Sequence, residues 1–322
     1  MESIRRNILF FFFFISLVYH STIYATIHSM FDTHSHLTIE PIYSNIDSVI
    51  PNFVNNNGKG ILNVGYDLPS SQLVLDIHNK YKDRYGNLIS NAIGIHPEHY
   101  FEIHQQGKDV YLEFRKINNK LKEIYRDFNS IIHAVGETGL DYYHLENQSL
   151  ANIDKEVLIE IQKNSFKEHL SIALQYNLPL TIHCRDIEGS DRAIEDILTI
   201  ISQIGKGRLT GSFHSYTGSI YHLNDILNLG FYIGFNGIIT FTNADNVREI
   251  LLQTPIERVL LETDAPYLIP KEARKEKFPE FDYGIPTNIQ HVANKIAQVK
   301  NLSIESVYEK TSLNAKNLFF IN

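Results

Sequence analysis

After residue 29, short apolar runs alternate with longer stretches in which apolar residues recur every three or four positions. The short runs predict strands at Met30–His36, Gly60–Gly65, Leu88–His96, Ile131–Glu137, Leu178–His183, Leu209–His214, Phe231–Phe235 and Val259–Asp264. The clearest helical stretch is Ile153–Tyr176, where Ile159, Phe166, Leu170, Ala173 and Leu174 recur at helical spacing. Asn177-Leu-Pro179 stops it, because proline cannot continue a helix. Eight strands alternating with helices predict an α/β fold, a single-domain (β/α)8 TIM-type barrel. A doubly wound open sheet has the same rhythm, and rhythm alone does not choose between them. The tail, from about Thr287 to Phe320, predicts two further helices packed outside.

The first 25 residues follow a different pattern. Arg5 and Arg6 precede an almost wholly apolar run, Ile8–Val18, and Tyr24-Ala25 offers a small residue at a cleavage point. The run is shorter than the ~20 residues a membrane span needs. Residues 1–25 therefore read as a targeting segment, with the barrel spanning residues 26–322. Export or delivery to an organelle is expected, with no stable membrane association once the segment is removed. A buried first helix or an uncleaved anchor is the bland alternative, and a non-functional segment would leave the protein cytoplasmic.

Composition narrows the chemistry. At 43% hydrophobic and 20% charged residues, the 322-residue chain is globular, not disordered. A formal charge of −8 argues against holding nucleic acid by a wide basic face, but does not exclude a nuclease whose bound cations supply positive charge. The single cysteine, Cys184, excludes an intramolecular disulfide framework and any multi-cysteine metal site. It lies between His183 and Arg185, so alternation turns it away from any site they share, and it reads as a core residue.

The polar residues of the predicted strands are not scattered. His34 and His36 close the first, His96 the third, Glu137 the fourth, His183 the fifth, His214 the sixth and Asp264 the eighth. In a barrel such ends converge on one face. Imidazoles and carboxylates gathered there are costly unless paired or bound to metal. His34 and His36 stand two apart, so one strand directs both imidazoles the same way. Imidazole with carboxylate suits zinc, manganese or iron, and carboxylate with water also admits magnesium.

Six segments carry a resemblance: Phe-Asp32-Thr-His34-Ser-His36-Leu, Gly94-Ile-His96-Pro97, Gly136-Glu137-Thr-Gly-Leu-Asp141-Tyr, Leu-Pro-Leu-Thr-Ile-His183-Cys-Arg185-Asp186, Phe-His214-Ser-Tyr-Thr-Gly218 and Leu-Glu262-Thr-Asp264-Ala-Pro266-Tyr-Leu. In order and spacing they resemble the motifs of the TatD family, metal-dependent deoxyribonucleases within the amidohydrolase-like barrels. The likeness runs over about residues 30–316 and includes the helix around Gln162–Ala173. It implies two divalent ions (Mg²⁺, Mn²⁺ or Zn²⁺) and DNA as substrate. By position, His34 and His36 would bind the first ion, His183 and His214 the second, and Glu137 both. Asp264 would ligate the first and steer the attacking water.

His96 and Arg185 read as substrate contacts. The imidazole suits a phosphate oxygen or a leaving group, and the planar guanidinium suits a phosphodiester. The alternatives are a satisfied loop histidine for His96 and an ion pair with Asp186, Glu188 or Asp141 for Arg185. Asp141 and Glu262 read as groups that orient ligands, His169 as a helix-packing residue, and Gly136, Gly139 and Gly218 as turn formers. After Leu268 the chain departs from the family's Asn-Glu-Pro pattern. It carries Pro270–Pro286, with Lys271, Arg274, Lys275, Lys277 and a Gly284-Ile-Pro286 element, which bears on substrate positioning and not on the metal site. The leading expectation is a two-metal deoxyribonuclease, with 3′–5′ exonuclease action one form of it. An amidohydrolase-type hydrolase of a small ester, amide or phosphoester and a non-enzymatic metal-binding interaction protein are the alternatives.

Overall fold

The computed structural model describes residues 29–146, 150, 152–275 and 281–320. The predicted targeting segment and Lys277 lie outside them. Eight parallel strands follow one another in chain order: β1 Met30–Ser35, β2 Gly58–Val64, β3 Ile89–Ile93, β4 Ala134–Asp141, β5 Leu180–Arg185, β6 Gly211–Phe213, β7 Tyr232–Phe235 and β8 Val259–Leu261. The ring is nearly closed by a parallel bridge between Ser35 and Ala265. Beside it, Asp264 N–H donates to the His34 carbonyl at 2.9 Å and His36 N–H to the Ala265 carbonyl at 2.8 Å. The fold is thus the TIM-type barrel, and the open-sheet alternative falls.

The surrounding helices are α1 Ile46–Asn55, α2 Leu68–Tyr85, α3 Glu98–Gln105, α4 Val110–Phe128, α5 Tyr142–Glu146, α6 Asn152–Tyr176, α7 Arg192–Gly205, α8 Leu223–Asn228, α9 Asp245–Gln253, α10 Ile289–Lys300 and α11 Ile304–Phe319. Their apolar faces bury residues such as Leu121, Phe166, Leu170 and Ile197 against the strands. Each such side chain contributes roughly 1.5–3 kcal/mol. The predicted tail helices are α10 and α11, and Ala315, Leu318 and Phe319 of α11 join a second apolar cluster with Phe31, Leu62, Ala92, Ala134 and Leu260.

Three details depart from the strand pattern read in the sequence. Strands β6 and β8 are short, so His214 and Asp264 lie just beyond them, and His96 stands in the turn after β3. Glu137 does not end its strand: β4 continues to Asp141, with a register shift against β5 between Val135 and Thr138. Gly136 and Gly139 are strand residues, not turn formers. A Cβ at Gly139 would sit 1.8 Å from the His183 carbonyl oxygen, so glycine is what lets β4 and β5 approach there.

Candidate metal centre

Six of the implicated side chains gather around Glu137, whose two oxygens face different groups. Oε2 lies 3.4 Å from His34 Nε2 and 3.6 Å from His36 Nε2. Asp264 Oδ1 completes that cluster, 3.3 Å from His36 Nε2 and 3.9 Å from His34 Nε2. Oε1 faces away from it, 3.2 Å from His183 Nδ1, 3.6 Å from His96 Nε2 and 4.0 Å from His214 Nε2. The His214 ring stacks on His34 with centroids 3.4 Å apart, so it stands between the two groups. Asp264 is held there by a left-handed backbone conformation, φ 57°.

The hydrogen bonds on the far side of each ring set its tautomer. His36 Nδ1 donates to the Val64 carbonyl at 2.9 Å, and His34 Nδ1 lies 3.0 Å from Thr181 Oγ1. His214 Nδ1 faces Glu262 Oε1 at 3.0 Å, and His183 Nε2 faces Asp141 Oδ2 at 2.9 Å. The Val64 carbonyl and the Asp141 carboxylate accept a ring hydrogen, the Thr181 hydroxyl can do the same for His34, and the Glu262 carboxylate favours the hydrogen on His214 Nδ1, so each neutral ring can offer its opposite nitrogen to a cation. His96 is the reverse: its Nδ1 accepts the Glu98 N–H at 3.2 Å, so in the neutral ring Nε2 carries the hydrogen. His96 thus differs from the four ligand-competent imidazoles by this bond alone, since it too stands with Glu137 and His183 at a spacing that could hold a metal ion.

Charge follows the same arrangement. Burial raises the Glu137 and Asp264 carboxyls, but neighbouring imidazoles outweigh it and hold both low, His96 and His34 at Glu137, His214 and His36 at Asp264. Burial pushes the His183 ring down, yet Asp141 and Glu137 carry it up to about 9. Glu262 and Asp264 do the same for His214, up to about 10. His96 is held down at about 3 by burial and by His183.

The donor set fits a cation. His34 Nε2 and His36 Nε2 are 3.3 Å apart, and in the tautomers that bind metal both present lone pairs. No shared hydrogen holds them together in those tautomers, whereas a cation removes the repulsion. Ligand atoms about 2.1 Å from a tetrahedral ion stand about 3.4 Å from one another, which is the spacing of this cluster.

A cavity of about 710 Å³ opens over the centre, lined among others by Tyr66, Glu98, Glu102, Arg185 and Tyr267. The Arg185 guanidinium lies over the Tyr143 ring, 4.0 Å from its centroid. It does not pair with the three expected carboxylates. Asp186 instead accepts the Ala193 N–H at 2.9 Å, capping α7, and Asp141 binds His183 and His144, the latter also at 2.9 Å. Cys184 lies in the apolar core and at the cavity's edge, its thiol pushed up by burial. In the atypical loop, Arg274 stacks over Phe241 at 5.0 Å and donates to the Ile269 carbonyl, away from the centre. Gly284 packs beneath Tyr267, through an N–H bond to the Pro266 carbonyl at 3.1 Å.

The family model for TatD related DNase matches residues 31–320. The chain belongs to the TatD family. An uncharacterized metal-dependent hydrolase of Bacillus subtilis, YabD, is 29% identical over 91% of this chain and 100% of its own length. An uncharacterized metal-dependent hydrolase of Buchnera aphidicola is 32% identical over 90% of this chain and 96% of its own. Among solved structures, a TatD family hydrolase from Entamoeba histolytica superposes with a TM-score of 0.74 at 22% identity, covering 92% of this chain and 99% of that one. This TatD family member is a metal-dependent hydrolase, and its His/Glu cluster is where metal would be held.

Residue reasoning missed Tyr143, Tyr66 and Tyr267, which carry no charge and lie outside the strands. It also missed His144, whose Nδ1 shares the Asp141 carboxylate with His183. A tyrosine directly after the Gly-Leu-Asp141 motif was the only signal for Tyr143's neighbourhood.

Proposed function

We propose that this TatD family member is a deoxyribonuclease that hydrolyses phosphodiester bonds with two divalent cations. The observation that carries the reading is the division of Glu137. Its Oε2 faces the His34, His36 and Asp264 set and its Oε1 faces His183, with His96 and His214 farther off, so one carboxylate could serve two ions. Such ions polarise a phosphoryl oxygen and acidify water. The chain's residues do the rest. Asp264, held as a carboxylate, accepts the proton of the attacking water as its oxygen bonds phosphorus. The P–O bond to the leaving group breaks, and that oxygen takes the proton back from Asp264. Arg185 binds a phosphate oxygen with its planar fork, and His96 donates Nε2–H to another. Tyr66 and Tyr267 offer aromatic surface to unstacked bases.

The purified protein should cleave DNA with Mg²⁺ or Mn²⁺ and stop on addition of EDTA. Glu137→Ala should be inactive. Cleavage that persists in Glu137→Ala would refute the mechanism.

A second reading has an observation of its own. Glu98 and Glu102 line the same cavity as Arg185. Carboxylates there favour a small ester, amide or phosphoester over a long polyanion. A panel of small phosphodiesters, esters and amides assayed beside DNA separates the two. Greater kcat/KM on the small substrates, with Arg185→Ala leaving it unchanged, would select the second. Removal of residues 1–25 on export or delivery to an organelle remains our reading, and N-terminal sequencing of protein recovered from its native cells tests it.

A further inference from the structure

His96 acts from the turn that joins β3 to α3, and a residue far along the chain ties that turn down. His169, on α6, is fully buried. Its Nδ1 donates to the Ser165 carbonyl at 2.7 Å, one helical turn back. Its Nε2 therefore keeps a lone pair, which accepts the Ile95 N–H at 3.1 Å. Burial holds the ring neutral, its pKa down at about 4, which preserves that acceptor. The rest of the turn is pinned too. His96 N–H donates to the Tyr66 carbonyl at 2.7 Å, and His99 N–H to the His96 carbonyl at 3.1 Å. A Cβ at Gly94 would lie 2.6 Å from the Glu137 carbonyl oxygen, so the turn presses on β4 where Glu137 is placed.

We propose that His169 is a positioning residue for His96: by accepting the Ile95 N–H it fixes the turn so that His96 presents Nε2–H to the substrate. This rests on the reading of His96 as a substrate contact. Without the acceptor, a buried backbone donor is left unpaired, and the turn must shift to reach water or another oxygen. A shift of that kind moves the His96 ring relative to Glu137 and to the His183 ring it packs against edge-on, 4.3 Å between centroids, while the groups that hold the four ligand-competent imidazoles stay in place.

The experiment is a double-mutant cycle with a spectroscopic arm. His169→Leu removes the acceptor, and His169→Gln restores one. Both are made in the wild-type and His96→Ala backgrounds, and kcat, KM and bound metal are measured on a DNA oligonucleotide and a small phosphodiester. We expect His169→Leu to lower kcat/KM roughly tenfold or more with metal content unchanged. His169→Gln should recover most of the loss. In His96→Ala the same leucine should cost nothing further, because the two residues act as one unit. Equal losses in both backgrounds, or metal lost together with activity, would overturn the proposal.

The second arm needs no substrate. In the ¹⁵N-labelled, metal-free protein, imidazole NMR should place the His96 hydrogen on Nε2 and the His169 hydrogen on Nδ1. A His96 hydrogen on Nδ1 would sink the proposal even if His169→Leu fails to fold. Because this arm involves no cleavage, a protein that ignores DNA but shows both tautomers loses the nuclease reading and keeps the positioning one.

Discussion

The two groups that share Glu137 are built differently. On the β1–β8 side, His36 is tied by a backbone carbonyl and His34 by a buried threonine hydroxyl. That region is closed by Asp32, whose carboxyl bonds Thr263 Oγ1 at 2.6 Å and the Thr263 N–H at 3.0 Å. On the β4–β5 side, His183 is oriented by the Asp141 carboxylate, which also binds His144, which in turn reaches Glu98 at 3.6 Å near the cavity wall. The His34 side chain has no exposure, and that of His183 is 17% exposed. The two imidazoles of the first group are thus held by neutral partners that cannot ionise away. The second is held by a chain of titratable groups leading to the cavity, where Arg185 waits on Tyr143. Rigidity sits on one side of Glu137 and access on the other.

The largest effect should come from the residue common to both. Glu137→Gln keeps the shape but removes the charge that two cations share. We expect kcat to fall by at least ~10³-fold and bound metal to drop at both positions, read by metal analysis. Metal lost from one position only would show that the two groups do not depend on the same carboxylate.

Next come the partners of the imidazoles. Asp141→Asn should weaken the second cation about 10–100-fold and leave the first in place. Thr181→Val, which removes the hydroxyl behind His34, should cost the first cation less, because its partner is neutral. Titration calorimetry with Mn²⁺ measures both. Equal losses would erase the contrast between a neutral and a charged support.

How much of this was legible beforehand differs between the two sides as well. The strand–helix rhythm allowed a barrel or an open sheet and the family resemblance pointed to the barrel; within a barrel the β1 pair His34 and His36 and the gathering of Glu137, His183, His214 and Asp264 follow from strand-end chemistry, because strand ends converge there. The position of Glu137 inside β4 did not follow, since a register shift against β5 carries no signature in alternation. The Arg185–Tyr143 contact was hidden because α5 is short and its neighbours in sequence, Asp141 and Asp186, suggested an ion pair. Both carboxylates turned out to have other partners: Asp186 caps α7, and Asp141 serves His183 and His144. His169 was read as packing, which its burial supports, but its contact with Ile95 joins residues 74 apart and no local pattern announces it.

The smallest effect tests the access side alone. Tyr143 touches the guanidinium through its ring face, and such a contact is worth ~0.5–1 kcal/mol at an exposed site. Tyr143→Leu keeps bulk on α5 but removes the face, so Arg185 stays charged and loses its rest. KM for a phosphodiester should rise about two- to fivefold with kcat nearly unchanged, while Arg185→Ala should raise it well beyond that. In the Arg185→Ala background Tyr143→Leu should do nothing more, provided that its edge contact with His144, 5.4 Å between ring centroids, does not carry to the cation centre. If Tyr143→Leu lowers kcat instead, the ring supports the Asp141–His183 chain and not the guanidinium, and the access side is tied to the cation centre more tightly than its exposure suggests.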